Sequence, residues 1–203
     1  MPDYLALNDH LLQDREEIAA FCELLRKEGV RSYLEIGSWS GGSIEMVAKH
    51  LPKGSRIMSI EMPVDQQKFL QLQQVLSRLH RNGYWVSLWA GDSTSEKCIR
   101  KAMEMGPFDA IFIDGSHTYE GVESDWQNYG YLGRIVGFHD IAIDKPPHGV
   151  AKFWRTLKPH YRHVEFISEE TRRQTEGYGI GVVWPDEPIE NATTGGLNYA
   201  CTE

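Results

Sequence analysis

Cysteine is scarce: Cys22, Cys98 and Cys201 lie far apart, are odd in number and form no CxxC pair. That spacing excludes a disulfide framework and a cysteine zinc site, and it leads us to expect a reducing, cytoplasmic setting. Long apolar runs are missing, and Met1-Pro2-Asp3-Tyr4 is not the basic start of an export signal, so the chain is expected to be neither embedded nor exported. Basic charge is short as well, 21 Lys and Arg against 29 Asp and Glu, for a net charge of -8. With no Lys/Arg stripe to meet phosphates, nucleic acid is not an expected partner. No repeat and no low-complexity linker divides the chain. A single domain over 1–185, opening with a helical segment over 1–30, and a polar tail over 186–203 are therefore expected.

What is there is an alternation of two periodicities. Ile18, Phe21, Leu24 and Leu25 recur at helical spacing before Gly29, and the run Tyr33-Leu34-Glu35-Ile36 reads as a buried strand. Further strands are predicted at Arg56–Ile60, Tyr84–Trp89, Asp109–Ile113, Arg134–Phe138, His163–Ile167 and Gly179–Trp184. Helices are predicted at Ser43–His50, Gln66–Arg81, Ser95–Met105, Tyr119–Leu132 and Val150–Leu157. Such alternation calls for a doubly wound α/β fold, a mostly parallel seven-stranded sheet with helices on both faces. The last two strands have no clear helix between them, which places the final one antiparallel. Trp126, Tyr129 and Tyr131 on one helix, and Phe153, Trp154 and Leu157 on another, read as packing faces.

In an open parallel sheet, ligands bind beyond the carboxyl ends of the strands. The first strand ends in Gly37-Ser38-Trp39-Ser40-Gly41-Gly42-Ser43, small residues that let the chain turn tightly and bring backbone N–H groups to a ligand. The spacing is neither GxGxxG nor a Walker loop. The second strand ends in Glu61, whose carboxylate can accept both hydroxyls of a ribose. The third ends Ala90-Gly91-Asp92-Ser93, where Asp92 either reaches an adenine edge or caps the next helix. Trp39 and Trp89 are candidates to stack on a base.

At this point the sequence resembles the class I S-adenosylmethionine-dependent methyltransferases, through ExGxxxG on the first strand, the acid on the second and Gly-Asp-Ser after the third. The run Asp114-Gly115-Ser116-His117-Thr118-Tyr119-Glu120-Gly121-Val122, then Asp125 and His139-Asp140, is similar to the small-molecule O-methyltransferase branch with a DGxHxYExV pattern, methyltransferase domain family 24. The similarity spans Tyr33 to Leu157. It implies S-adenosylmethionine as the cofactor, with Glu35, Gly37, Ser38, Gly41 and Ser43 at its methionine part, Glu61 at the ribose and Asp92 or Ser93 at the adenine. Asp114 is counted with the cofactor contacts and with the catalytic group.

Asp114 and Asp140 close adjacent strands and could share a divalent metal through hard oxygen ligands, with His139 as third ligand. Imidazole there, where the family often has an acid, tilts the choice from Mg toward Mn, Fe or Zn. His117 is the expected general base for an acceptor hydroxyl. The bland alternative is that it caps the next helix or hydrogen-bonds Asp140. The loop Lys145-Pro146-Pro147-His148-Gly149 reads equally as a rigid turn or as a substrate contact through His148. Arg172-Arg173 is read as part of a mixed-charge loop that could meet an anionic substrate, and Glu120 as a solvated helix charge.

The expected partner is a hydroxylated small molecule, a sugar, a polyol or a phenol, and the N-terminal helix and tail could serve a homo-oligomer. Two other readings compete: a binding or structural protein that kept the fold without turnover, and a nicotinamide oxidoreductase, whose glycine spacing is missing.

Overall fold

The computed structural model describes residues 13–173 and 178–188. Seven strands form one sheet: β1 (Ser32–Ile36), β2 (Arg56–Glu61), β3 (Trp85–Ala90), β4 (Phe108–Ile113), β5 (Gly133–Phe138), β6 (Tyr161–Phe166) and β7 (Ile180–Pro188). Their spatial order is β3-β2-β1-β4-β5-β7-β6. Strand β7 runs antiparallel to both neighbours, and the other strands share one direction, as expected. The helices are α1 (Arg15–Lys27), α2 (Gly42–His50), α3 (Gln66–Arg81), α4 (Glu96–Met105), α5 (Tyr119–Tyr129), α6 (Val150–Leu157) and α7 (Glu169–Arg173).

Alternation along β1 shows why the sheet is buried on both faces. Tyr33 points into a layer with Ile18, Phe21 and Leu25 of α1 and with Val47 and Leu72. Leu34 and Ile36 point into the opposite layer, with Cys98, Trp126, Phe153 and Trp154. Successive side chains of a strand go to opposite faces, so a strand covered by helices on both sides is apolar at nearly every position.

Three expectations need correction. The connection between the last two strands carries the short helix α7, which contains Arg172 and Arg173. The tail does not begin at Asp186: β7 continues to Pro188, and Arg162 on β6 holds Glu187 by an ion pair at 3.0 Å. Residues 189–203 lie outside the described residues. Tyr131 is 61% exposed, because α5 ends at Tyr129 and the chain leaves the core through the 3₁₀ turn Gly130–Leu132. Among the described residues, no helix is long and apolar enough to cross a membrane.

Helix α1 does more than cover the sheet. Asp14 caps it by accepting from the amides of Glu16 and Glu17, and also accepts from Ser168 Oγ at 3.1 Å. Glu17, 1% exposed, accepts from the Ser168 amide at 2.9 Å and the Gly179 amide at 2.8 Å. One carboxylate thus joins α1 to the chain after β6 and to the start of β7, satisfying two donors that have left the sheet.

Replacing this carboxylate strands both amides. In urea unfolding, Glu17→Ala should cost about 2–5 kcal/mol, and Glu17→Gln, which keeps one acceptor, should cost less. A loss for the alanine variant below about 1 kcal/mol would contradict the clamp.

Candidate active site

The carboxyl ends of β1, β2, β3, β4 and β5 open on one cavity of about 890 Å³. Its floor is the glycine loop after β1. Gly37 has φ 80° and Gly41 φ 88°, in the left-handed region that a side chain disfavours. A Cβ on Gly37 would stand 2.2 Å from the carbonyl oxygen of Asp114, so this loop crosses the end of β4 at a distance open only to glycine. Gly41 then starts α2 without any side-chain cap, and the first residues of that helix, Gly42 and Ser43, line the cavity. Backbone N–H groups and the positive end of the helix are thereby offered to an anion.

Glu35 is not on the cavity wall. It is fully buried beneath the loop, accepting from Tyr33 Oη at 2.5 Å and from Ser43 Oγ at 2.6 Å. Burial raises its carboxyl to about 8, against the opposing bonds from Ser43 and Tyr33. Its work is to tie β1 to the first turn of α2. Ser38, also lining the cavity, accepts from Ser59 Oγ at 2.8 Å.

Glu61 lies on the wall and accepts from the Trp39 amide at 2.8 Å. Burial lifts its pKa above the ordinary value, partly offset by the loop amides that donate to it. Asp92 and Ser93 form the next part of the wall. Of the two jobs open to Asp92, capping falls to Ser95, which accepts from Cys98 N. Asp92 Oδ1 instead accepts from the amide and hydroxyl of Thr94, both at 2.8 Å. Trp39 lines the cavity, whereas Trp89 does not: Lys97 and Lys101 cover its ring at 5.7 and 5.5 Å.

The opposite end of the cavity is ionic. His117 Nδ1 lies 2.7 Å from Asp140 Oδ2, and His148 meets the His117 ring edge-on at 5.4 Å. Thr118, not His117, caps α5. The hydrogen bond that His117 donates to Asp140 raises the His117 pKa against its partial burial. For Asp140, burial works toward a higher pKa, but the bond from His117 and the charge of His139 leave it below the ordinary value. Asp114 Oδ1 is 3.1 Å from His139 Nδ1, and its Oδ2 accepts from Gln13 Nε2 at 2.8 Å. Tyr178 stacks on His139 at 5.5 Å and 14°.

Gln13 and Tyr178, which also line the cavity, were not anticipated, since each reaches the site from outside the run of strand ends. Asp125 was left without a role; it is fully buried on α5, and burial raises its carboxyl to about 6. Its place was readable in the helical spacing of Val122, Asp125, Trp126 and Tyr129, all buried. The Arg172-Arg173 pair is not part of the cavity wall.

A family model described as a methyltransferase domain matches residues 34–141, which includes every strand end just described. The chain belongs to the methyltransferase-domain family. No curated protein matches it. Among solved structures, an O-methyltransferase from Bacillus cereus in complex with SAH is 19% identical, with TM-score 0.66, covering 88% of this chain and 84% of its own. The O-methyltransferase TomG from Streptomyces achromogenes, involved in tomaymycin synthesis and solved with SAM, is 20% identical, with TM-score 0.65 and coverages of 86% and 81%. At these identities the likeness is one of fold.

The metal that the resemblance implies does not fit Asp114, His139 and Asp140 as they stand in this methyltransferase domain. One ring nitrogen, His139 Nδ1, sits 3.1 Å from Asp114 Oδ1 and 3.2 Å from Asp140 Oδ1. Burial works against its charge, yet the field and hydrogen bond of Asp114 and the charge of Asp140 raise it to about 9. With Nδ1 turned to both carboxylates, the His139 ring stands in the place between Asp114 and Asp140 that an ion would need.

The buried Glu35 makes stability depend on pH. Its pKa rises from 4.5 to about 8 on folding, so the folded state retains a proton that the unfolded state releases. Stability therefore falls as pH rises through this window, by an amount on the order of 5 kcal/mol in full. Melting curves of the wild type and Glu35→Gln should converge or cross between pH 6 and pH 9, the variant losing less. Parallel curves over that range would show that Glu35 is ionised throughout.

Proposed function

We propose that this methyltransferase domain moves the methyl group of S-adenosylmethionine to a hydroxyl of a small-molecule acceptor. The observation that carries the reading is the His117–Asp140 pair, 2.7 Å apart, in the same cavity as the glycine loop and Glu61. The loop amides and carboxylate at one end suit a nucleoside and an anion, and the His–Asp pair at the other suits a proton. The complexes of the two similar enzymes with SAH and SAM support the choice of donor.

Bound S-adenosylmethionine supplies an already activated sulfonium methyl, so the protein is left with alignment and one proton transfer. Amides of the Gly37–Ser43 loop and the N-terminus of α2 hold the carboxylate of the methionine part. Glu61 accepts from the ribose hydroxyls, and Asp92 and Ser93 border the adenine, with Trp39 and Met62 as apolar wall. Glu35 acts from below by fixing Ser43.

Asp140 holds the Nδ1–H of His117, which turns Nε2 into the acceptor for the hydroxyl proton. The acceptor oxygen would take the methyl carbon as the carbon–sulfur bond breaks, leaving the electron pair of that bond on sulfur. The proton ends on His117 and then passes to solvent. Asp114, held by Gln13 and His139, shapes the boundary between donor and acceptor. The mixture of Tyr178, Ile143, Lys145 and His148 on the acceptor side suits a hydroxylated molecule with an apolar part.

Calorimetric titration of the purified chain should give one site for S-adenosylhomocysteine and none for NAD. Glu61→Gln should weaken that site about tenfold or more, the loss of one charge-assisted bond pair. In a screen of phenols, polyols and sugars with labelled methyl donor, His117→Ala should lose about 10²–10⁴-fold in turnover while S-adenosylhomocysteine affinity changes less than about threefold. Absence of adenosyl binding in the wild type would overturn the donor assignment, and full turnover by His117→Ala would remove it as base.

A further inference from the structure

We propose that His117, Asp140 and His148 form a binding site for a divalent transition-metal ion, displaced from the Asp114, His139 and Asp140 set that the family resemblance implies. One donor atom from each of the three side chains lies within 4.8 Å of the other two. The separations include 2.7 Å from His117 Nδ1 to Asp140 Oδ2 and 4.0 Å from His148 Nδ1 to that same oxygen. Ligands around a first-row ion at about 2.1 Å stand roughly 3–4 Å apart, so small rotations of two imidazoles close the site.

One orphaned atom points to a missing partner. His148 Nδ1 is buried and has no hydrogen bond in the structure, with Asp140 Oδ2 standing off at 4.0 Å. A buried polar atom without a partner is costly, and one inside a cluster of three ligand-type side chains calls for something to fill it.

The backbone holds the cluster ready. Asp140 has φ 60°, a left-handed conformation that an aspartate adopts at a cost, and one that persists at sites the surrounding fold over-determines. His148 is brought in by its neighbour: the Gly149 amide donates to the carbonyl of His117 at 2.7 Å, and a Cβ on Gly149 would stand 2.2 Å from Tyr119 N. The Lys145–Gly149 loop is thus pressed onto the His117 turn at a second place where only glycine fits. This gives a preformed first coordination shell on three separate stretches of chain.

Two imidazoles and one carboxylate select among ions. Mg and Ca prefer all-oxygen shells, whereas imidazole suits Zn, Fe, Co and Ni. All three side chains line the cavity in which the acceptor hydroxyl is expected. An ion there uses the nitrogen of His117 that Asp140 otherwise holds, so the metal-loaded cluster and the metal-free His117–Asp140 base are alternative states of the same residues. The site itself does not rest on the methyl-transfer reading, because binding is measured without donor or acceptor.

The test uses the full chain, stripped with chelator and titrated with Co²⁺ while visible absorption is recorded. One equivalent should bind at micromolar or lower concentration with d–d bands, and millimolar Mg²⁺ should not displace it. His148→Ala, on a loop, should weaken this class of site at least tenfold with the melting temperature preserved. Asp114→Asn should leave affinity within about threefold. Absence of a stoichiometric Co²⁺ site in the wild type overturns the proposal. So does loss of the site in Asp114→Asn with retention in His148→Ala, which would return the ion to the set implied by the family.

Discussion

The crossing of the glycine loop over the end of β4 is the contact on which the site depends. Gly37 lies so close to the Asp114 carbonyl that no side chain fits between them. The donor half of the cavity, built from β1, β2 and β3, is thereby fixed against the acceptor half, built from β4 and β5. Reacting groups must be placed to within about half an ångström, and a contact between two backbones is the stiffest means available. Side chains then only refine what the two backbones have set. Glu61 reaches the loop amides, and Asp114 turns from the same junction toward His139 and Gln13.

A second level of order comes from outside the strand ends. The chain just before helix α1 supplies Gln13 to Asp114, and α1, through Glu17, holds the segments on either side of α7. The start of β7 in turn pairs with the chain after Asp140, where the Ala142 amide donates to the Tyr178 carbonyl at 2.9 Å. Tyr178 is then positioned over His139. Residues near both ends of the described chain, Gln13 and Tyr178, thus reach the same Asp114–His139 pair.

How much of this the sequence disclosed follows from the range of the interactions. The strands and helices follow from local periodicity, which is why the sheet, its antiparallel last strand and the series of strand-end residues were legible. The short helix α7 was missed because a single turn carries no period to detect. Glu17, Gln13 and Tyr178 were missed because their partners lie far along the chain, and nothing in a glutamate's own neighbourhood announces two distant amides. Asp125 stood in plain view at helical spacing with three apolar residues, but an acid on a buried face is the exception to the pattern that finds the face. The histidines divided differently. His117 was marked as a site residue and His148 was left between a turn and a contact, whereas the role of His139 turned on which way its ring faced, a matter of side-chain geometry that spacing does not encode.

The proton on Glu35 has an effect at a distance from its own hydrogen bonds. A negative carboxylate directly under the first turn of α2 would neutralise the positive end of that helix from behind. Kept neutral near physiological pH by its burial, Glu35 braces Ser43 while leaving the field of the helix terminus undiminished toward the cavity. The loop is thus held by an acid that contributes no charge, and the attraction for an anionic group is saved for the molecule that enters.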